Sequence, residues 1–286
     1  MKSAARKFSF SFSNVALAIT AGLMMSVSTA QAAGPGFNNI SQSDFDKIIK
    51  ELSANSSYHS VTGAGTLGSI FGFEFGLVGG LTNTPDINSY SRQVDSSADI
   101  SRLPHASILA AVSVPLGFTG ELLLFPEMSV GDVKYQQFGG SVKWTATDAL
   151  ILPFNLAVRA FVTSNKLSFE QTVSNTSTGG VPTRMTVTQD NNQMGLQLLA
   201  SPNLPFVEPY VGIGTVKATG KLKVTGTPNG TIFDPNFTSS QSAESSPVST
   251  QLLLGVNANL LVLNLGLEYS RAFGTDSYNF KLGFRF

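Results

Sequence analysis

The chain of 286 residues holds two imidazoles, His59 and His105, and no thiol. Without cysteine it has no thiolate metal site, iron–sulfur cluster, cysteine nucleophile, disulfide or lipid-modified cysteine. Two histidines are too few for an all-histidine zinc centre within one chain. The hydrolytic chemistry left is a serine activated by histidine and oriented by a third polar group, as an outer-membrane phospholipase would need. His105 and Ser107 share one face of one strand, which is not by itself a nucleophile–base pair. His59 stands beside Tyr58. Both histidines read as solvated groups near an interface. Asp86, Asp95 and Asp99 share one polar stretch without the order of a calcium loop, and read as solvated. The expectation is a protein that is not an enzyme, with no catalytic, cofactor-binding or metal site.

The more informative residues are charges at alternate positions. Lys plus Arg and Asp plus Glu number 18 each, and charged residues are only 13% of the chain. That balance supplies no basic field, so no nucleic-acid partner is expected. Glycine (27) and phenylalanine (21) are abundant, and uncharged polar residues replace charged ones. Glu74, Lys143, Arg159, Glu208, Glu268, Lys281 and Arg285 each fall on the polar face of an alternating segment. If those segments close into a barrel, the seven charges face its lumen. There they form either an ion-pair network that closes the interior or the lining of a narrow, selective pore.

The alternation itself carries the fold. Tyr278, Phe280, Leu282, Phe284 and Phe286 oppose Asn279, Lys281, Gly283 and Arg285. Leu263, Leu265, Leu267 and Tyr269 oppose Asn264, Gly266, Glu268 and Ser270, and Phe71, Phe73, Phe75 and Leu77 oppose Gly72, Glu74 and Gly76. A soluble sandwich also alternates, but it turns charges to water. Here the polar face is mostly Gly, Ser, Gln and Asn, which suits a crowded lumen. Ten such segments occur, near 67–80, 104–114, 119–128, 132–147, 152–169, 184–200, 206–220, 247–258, 261–272 and 277–286. Every even connection is short, among them a tight turn at Asn259-Leu260, and the long ones are odd: 81–103, 171–183 and 221–246. Long external loops, short periplasmic turns and two periplasmic termini are the barrel pattern. The expected fold is an all-β transmembrane antiparallel up-and-down barrel of about 10 strands, with 8 or 12 as alternatives. Twelve would need strands hidden in the first and seventh loops. The parity of Leu122-Leu123-Leu124-Phe125 is ambiguous, and Pro209 must sit at an edge, start or bulge.

Lys2, Arg6 and Lys7, an apolar run from Val15 to Val27 and Ala30-Gln31-Ala32 make a secretory signal peptide over residues 1–32. Residues 33–62 form a periplasmic or plug segment. Within it Phe45, Ile48, Ile49 and Leu52 have helical spacing behind Ser41 and Ser43, which predicts a helix over about 42–54. That helix packs on the periplasmic rim or enters the lumen. Residues 63–286 are the barrel.

The terminal pattern Tyr278-x-Phe280-x-Leu282-x-Phe284-x-Phe286 is similar to the C-terminal signal of bacterial outer-membrane barrels. The resemblance implies outer-membrane lipid and the barrel-assembly machinery as partners. Leu103-Pro104-His105 through Leu152-Pro153-Phe154-Asn155-Leu156-Ala157-Val158-Arg159 resembles an exported barrel family known only as a domain of unknown function. That family brings no established activity. No Asn-Pro-Ala start follows the signal, unlike the long-chain fatty-acid transporters. The expected function is a narrow or gated channel for small solutes or apolar molecules. The alternatives are a structural or surface-binding barrel with an external ligand at loops 81–103, 171–183 and 221–246, and then a lipid-modifying enzyme.

Overall fold

The computed structural model describes residues 41–68, 70–94, 96–130, 133–148, 153–174, 182–225 and 242–286. The expected signal peptide lies outside the described residues. The strands are β1 (Gly72–Asn83), β2 (Arg102–Val114), β3 (Phe118–Val130), β4 (Val133–Thr145), β5 (Phe154–Ser174), β6 (Pro182–Pro202), β7 (Val207–Thr225), β8 (Ser242–Ser245), β9 (Val248–Leu260), β10 (Leu263–Ala272) and β11 (Thr275–Arg285). The helices are α1 (Gln42–Asn55) and α2 (Pro85–Val94).

Neighbouring strands pair antiparallel, and β1 closes on β11 with Leu77 opposite Leu282. β7 pairs directly with β6 and β9, so β8 stands outside the ring. The result is a closed ten-stranded barrel. Closure leaves no edge, which is what backbone polar groups in a bilayer require. Phe73, Phe75, Val142, Val162, Leu196, Ile213, Leu254, Leu267 and Phe284 are exposed on the outer wall. An apolar belt of that extent is stable only against lipid.

Several local expectations shift. Leu122 and Leu124 face out, while Leu123 and Phe125 face in. The register of β3 then breaks between Phe125 and Met128, around Pro126, which has no N–H for the ladder. Pro209 lies near the start of β7, opposite Val256. Asn259 and Leu260 continue β9, and the tight turn comes at Leu261-Val262, with Leu261 at φ 57°. The seventh loop holds the short strand β8, and the first holds α2.

The loop end of the barrel has a different interior. α1 begins with a capping box in which Ser41 Oγ accepts from Asp44 N and Asp44 answers the Ser41 backbone. Its stripe of Phe45, Ile48, Ile49 and Leu52 packs on Ile87 of α2 and on Phe169, Val187, Leu222 and Val224 of β5, β6 and β7. Each such burial contributes about 2 kcal/mol. Glu51 accepts from Asp86 N and Ile87 N, both at 2.8 Å, and so satisfies first-turn donors of α2. Burial nevertheless pushes its carboxyl up to about 7.

From the end of α1 the chain descends through the lumen. Tyr58 and Val61 pack among Leu109, Leu123, Phe161 and Val216, and Ala64 among Ala157, Leu199 and Leu253. Leu67 N reaches Ser113 Oγ at 3.0 Å, and β1 starts at Gly72. Of the two placements expected for the helix, rim or lumen, the structure has the lumen, at its loop end. One boundary is corrected. Residues 63–67 are lumen thread, so the barrel wall begins later than residue 63. The reason is the apolar face of α1, which finds its partners only where the long strands rise past the lipid belt and turn apolar side chains inward.

Candidate functional site

The site is the seam between the thread and the polar wall. Glu121 of β3 accepts from Tyr58 Oη at 3.0 Å, Thr62 Oγ1 at 2.8 Å and Ser141 Oγ at 3.0 Å. Arg159 of β5 lies 3.6 Å from Glu121 and donates to Ser60 Oγ (2.6 Å), Thr62 Oγ1 (2.8 Å) and Gln197 Oε1 (2.6 Å). Lys143 of β4 donates to the carbonyls of Gly63 and Gly65, each at 2.8 Å. Thr145 donates to the Ala64 carbonyl at 2.7 Å. Glu208 of β7 accepts from Gly65 N and from Ser201 Oγ, both at 2.8 Å. A Cβ at Gly63 would run into the Glu208 carboxylate, so glycine is what lets the thread approach so closely.

Val61, at the middle of the thread, has φ 51°. A β-branched residue is strained there, typically by about 1–3 kcal/mol. In the amide orientation that satisfies both its atoms, Asn257 donates to the Val61 carbonyl at 3.0 Å and accepts from Gly63 N at 3.2 Å. The wall therefore pins the backbone on both sides of the strained residue.

The other charges lie around this seam. Glu74 of β1 meets Lys281 at 2.7 Å and Arg285 at 2.9 Å, both from β11. Glu268 of β10 accepts from Tyr210 Oη at 2.8 Å and Asn279 Nδ2 at 3.2 Å. All seven charges expected inside are thus on the lumen side, Arg285 least buried. The residue missed was Glu121, hidden by the ambiguous parity of its strand. With it, four acidic groups (Glu74, Glu121, Glu208, Glu268) face four basic ones (Lys143, Arg159, Lys281, Arg285). The imbalance of three acids against four bases was the signal that one anion was missing.

Against the expectation of two solvated imidazoles, His59 is buried and His105 half-buried. His59 of the thread and His105 of β2 stack with centroids 4.8 Å apart. A carbonyl only accepts, so His59 Nε2 carries the proton that bonds Ala54 O at 3.1 Å. His59 Nδ1 then accepts from Asn279 Nδ2 at 3.3 Å. His105 Nε2 donates to Asn279 Oδ1 at 2.8 Å, and its Nδ1 lies 3.2 Å from the Asn55 side-chain amide. Ser107 Oγ donates to Ala106 O, away from either imidazole. Among the described residues no group of His, Asp and Glu has metal-binding geometry. Asp86 lies in the first turn of α2, Asp99 caps Ser101 N at 3.3 Å, and Asp95 lies outside the described residues.

On the outer wall, Tyr278, Leu282, Phe284 and Phe286 are exposed along β11 and just beyond it. Phe280, the other residue of the terminal pattern, is partly covered there.

Residues 15–286 match the model of the Family of unknown function (DUF6588). The chain belongs to this family. No curated protein matches it in sequence. Among solved structures it is similar to the N-terminal β-barrel domain of Pseudomonas aeruginosa OprF, at 9% identity over 75% of this chain and 97% of that one, TM-score 0.31. It is also similar to the outer membrane protease OmpT of Escherichia coli, at 10% identity over 76% and 96%, TM-score 0.39. The translocator domain of the autotransporter NalP from Neisseria meningitidis matches at 12% identity over 96% of each chain, TM-score 0.43. This member of the family is a closed β-barrel with an apolar outer belt, and residues 57–67 of its own chain run through its lumen.

Proposed function

We propose that the barrel is a gated channel for small solutes, with residues 42–67 as its gate. The observation that carries this reading is how the thread is held. Residues 57–67 pair with no strand of the barrel. Their contacts to the wall run largely through side chains such as Lys143, Thr145, Arg159 and Glu208. Each of these groups is one that water satisfies as well, so the thread can leave without opening a strand ladder. The wall it would uncover is mostly polar and balanced in charge, with apolar patches at Leu109, Leu123, Phe161 and Leu199, which favours small solutes over ions of one sign. No serine–histidine pair enters the reading, and it assigns no enzymatic step.

The absence of native cysteine gives a clean test. Ala64 and Ala157 are packed together, so Ala64→Cys with Ala157→Cys ties the gate to β5. In planar bilayers the oxidised double variant should be silent, and reduction should restore openings. Deleting residues 42–66 should give a larger, persistent conductance. A deletion variant that keeps its folded gel mobility yet passes no current would leave a closed structural barrel instead.

A second reading, a surface-binding barrel, draws on the apolar core that α1, α2 and β5–β8 build at the loop end. Shortening loop 84–101 should then abolish binding of an external ligand while the gel mobility of the folded barrel is kept.

A further inference from the structure

The lysines of the described residues are placed unevenly. Lys47 and Lys50 lie on α1, and Lys143 and Lys281 face the lumen. All the others, Lys134, Lys166, Lys217, Lys221 and Lys223, stand exposed on the outer wall of β4, β5 and β7. Their height is also regular. The last large apolar residue facing outward before the loop end is Phe138 on β4, Val162 on β5 and Ile213 on β7. One polar outward residue follows on each strand (Gln136, Ser164, Thr215), and then a lysine: Lys134, Lys166 and Lys217. Four residues along a strand tilted by about 40° rise about 10 Å. That is headgroup depth above the apolar belt. Lys221 and Lys223 continue the patch further up β7.

The lysines are one-sided. Elsewhere at the loop end the outer wall carries Arg102 of β2, Tyr269 and Tyr278 packed together, and Arg271 bonded to Asp276. A generic ring of anchoring lysines would not stop at β4, β5 and β7. Acidic groups temper the patch without cancelling it. Asp190 of β6 lies in register between Lys166 and Lys221, Glu127 of β3 is exposed beside the Lys134 end of β4, Glu170 lies higher on β5, and Glu244 of β8 pairs with Lys221 at 3.1 Å.

We infer that this face of β4–β7 binds the phosphate groups of lipid headgroups in the leaflet at the loop end. The occupant is lipid because the lysines continue the lipid-facing belt on the same outward positions. It is phosphate because flexible ammonium groups at headgroup depth meet that anion as point charges. The inference rests on the barrel's place in a membrane and is independent of whether the lumen conducts.

The test uses the full barrel refolded into vesicles of phosphatidylcholine with a minor fraction of phosphatidic acid. Phosphatidic acid retained per barrel is counted by native mass spectrometry. Wild type should retain it. Lys134→Gln with Lys166→Gln and Lys217→Gln should lower its apparent affinity about a hundredfold, at about fivefold per lysine. The corresponding triple Arg variant should keep it. All three sites are exposed, and an unchanged heat-modifiability gel in pure phosphatidylcholine checks that the variants fold. Equal retention by the Gln variant overturns the inference. So does full displacement of the lipid by inorganic phosphate, which would make the patch a site for free anions.

Discussion

Glu74 shows what a single buried charge does in this barrel. It is fully buried, and so is Lys281, which it meets at 2.7 Å. Glu74→Gln leaves that ammonium without its anion, a loss that typically costs about 3–5 kcal/mol. Urea unfolding in lipid vesicles should therefore show a strongly destabilised single variant. Adding Lys281→Met should recover part of the loss, because the stranded charge is then gone. A single variant as stable as wild type would mean that water reaches Glu74. Glu121 is different in kind. It bonds Tyr58 and Thr62 of the thread directly, so its loss acts on the gate as well as on the wall.

At the scale of elements, α1 and the thread decide the sidedness of the chain. α1 packs against α2 and β8, both of which belong to long loops. Long loops face the outside of the cell in such barrels. The chain then runs down the lumen to β1. The start of α1 at Ser41 should consequently lie toward the outer surface, not the periplasm. An epitope inserted between Asn38 and Asn39 should be detected by antibody on intact cells. Detection only after the outer membrane is permeabilised would reverse the direction of the thread.

The whole molecule has two interfaces with opposite rules, and neighbouring residues of β10 sample both. Leu265 faces lipid, and Gly266 faces the thread. Leu265→Arg places a cation in the apolar belt, at about 2–4 kcal/mol near the midplane, and should prevent stable insertion. Gly266→Ala should insert normally. Its new Cβ would sit 2.8 Å from Val61 Cγ1 and 2.6 Å from the Asn257 side-chain amide. It therefore pushes on the strained part of the gate and should raise the frequency of openings in a bilayer. If both variants behave alike in gel-shift and conductance assays, the two faces of β10 are not as distinct as their surroundings indicate.

Period-two alternation, with the order of long and short connections, pointed to a barrel of about ten strands with 8 or 12 left open, and put Glu74, Lys143, Arg159, Glu208, Glu268, Lys281 and Arg285 on its polar face, since parity is a local property that lipid on one side enforces. The helix over Gln42–Asn55 was legible for the same reason, from the spacing of Phe45, Ile48, Ile49 and Leu52. Glu121 was not legible, because the run from Leu122 to Phe125 is apolar on both faces and parity has nothing to act on. The stacking of His59 on His105 and the seating of Gly63 against Glu208 join residues far apart in the chain, and no local pattern encodes them. Where α1 goes depended on a surface that exists only after folding: the apolar inner wall made by Phe169, Val187, Leu222 and Val224, residues whose inward turn above the lipid belt is set by the length of the paired strands. The sequence by itself thus determined which face meets lipid on the strands that alternate clearly, and only the tertiary structure decided the face of β3 and what fills the space the strands enclose.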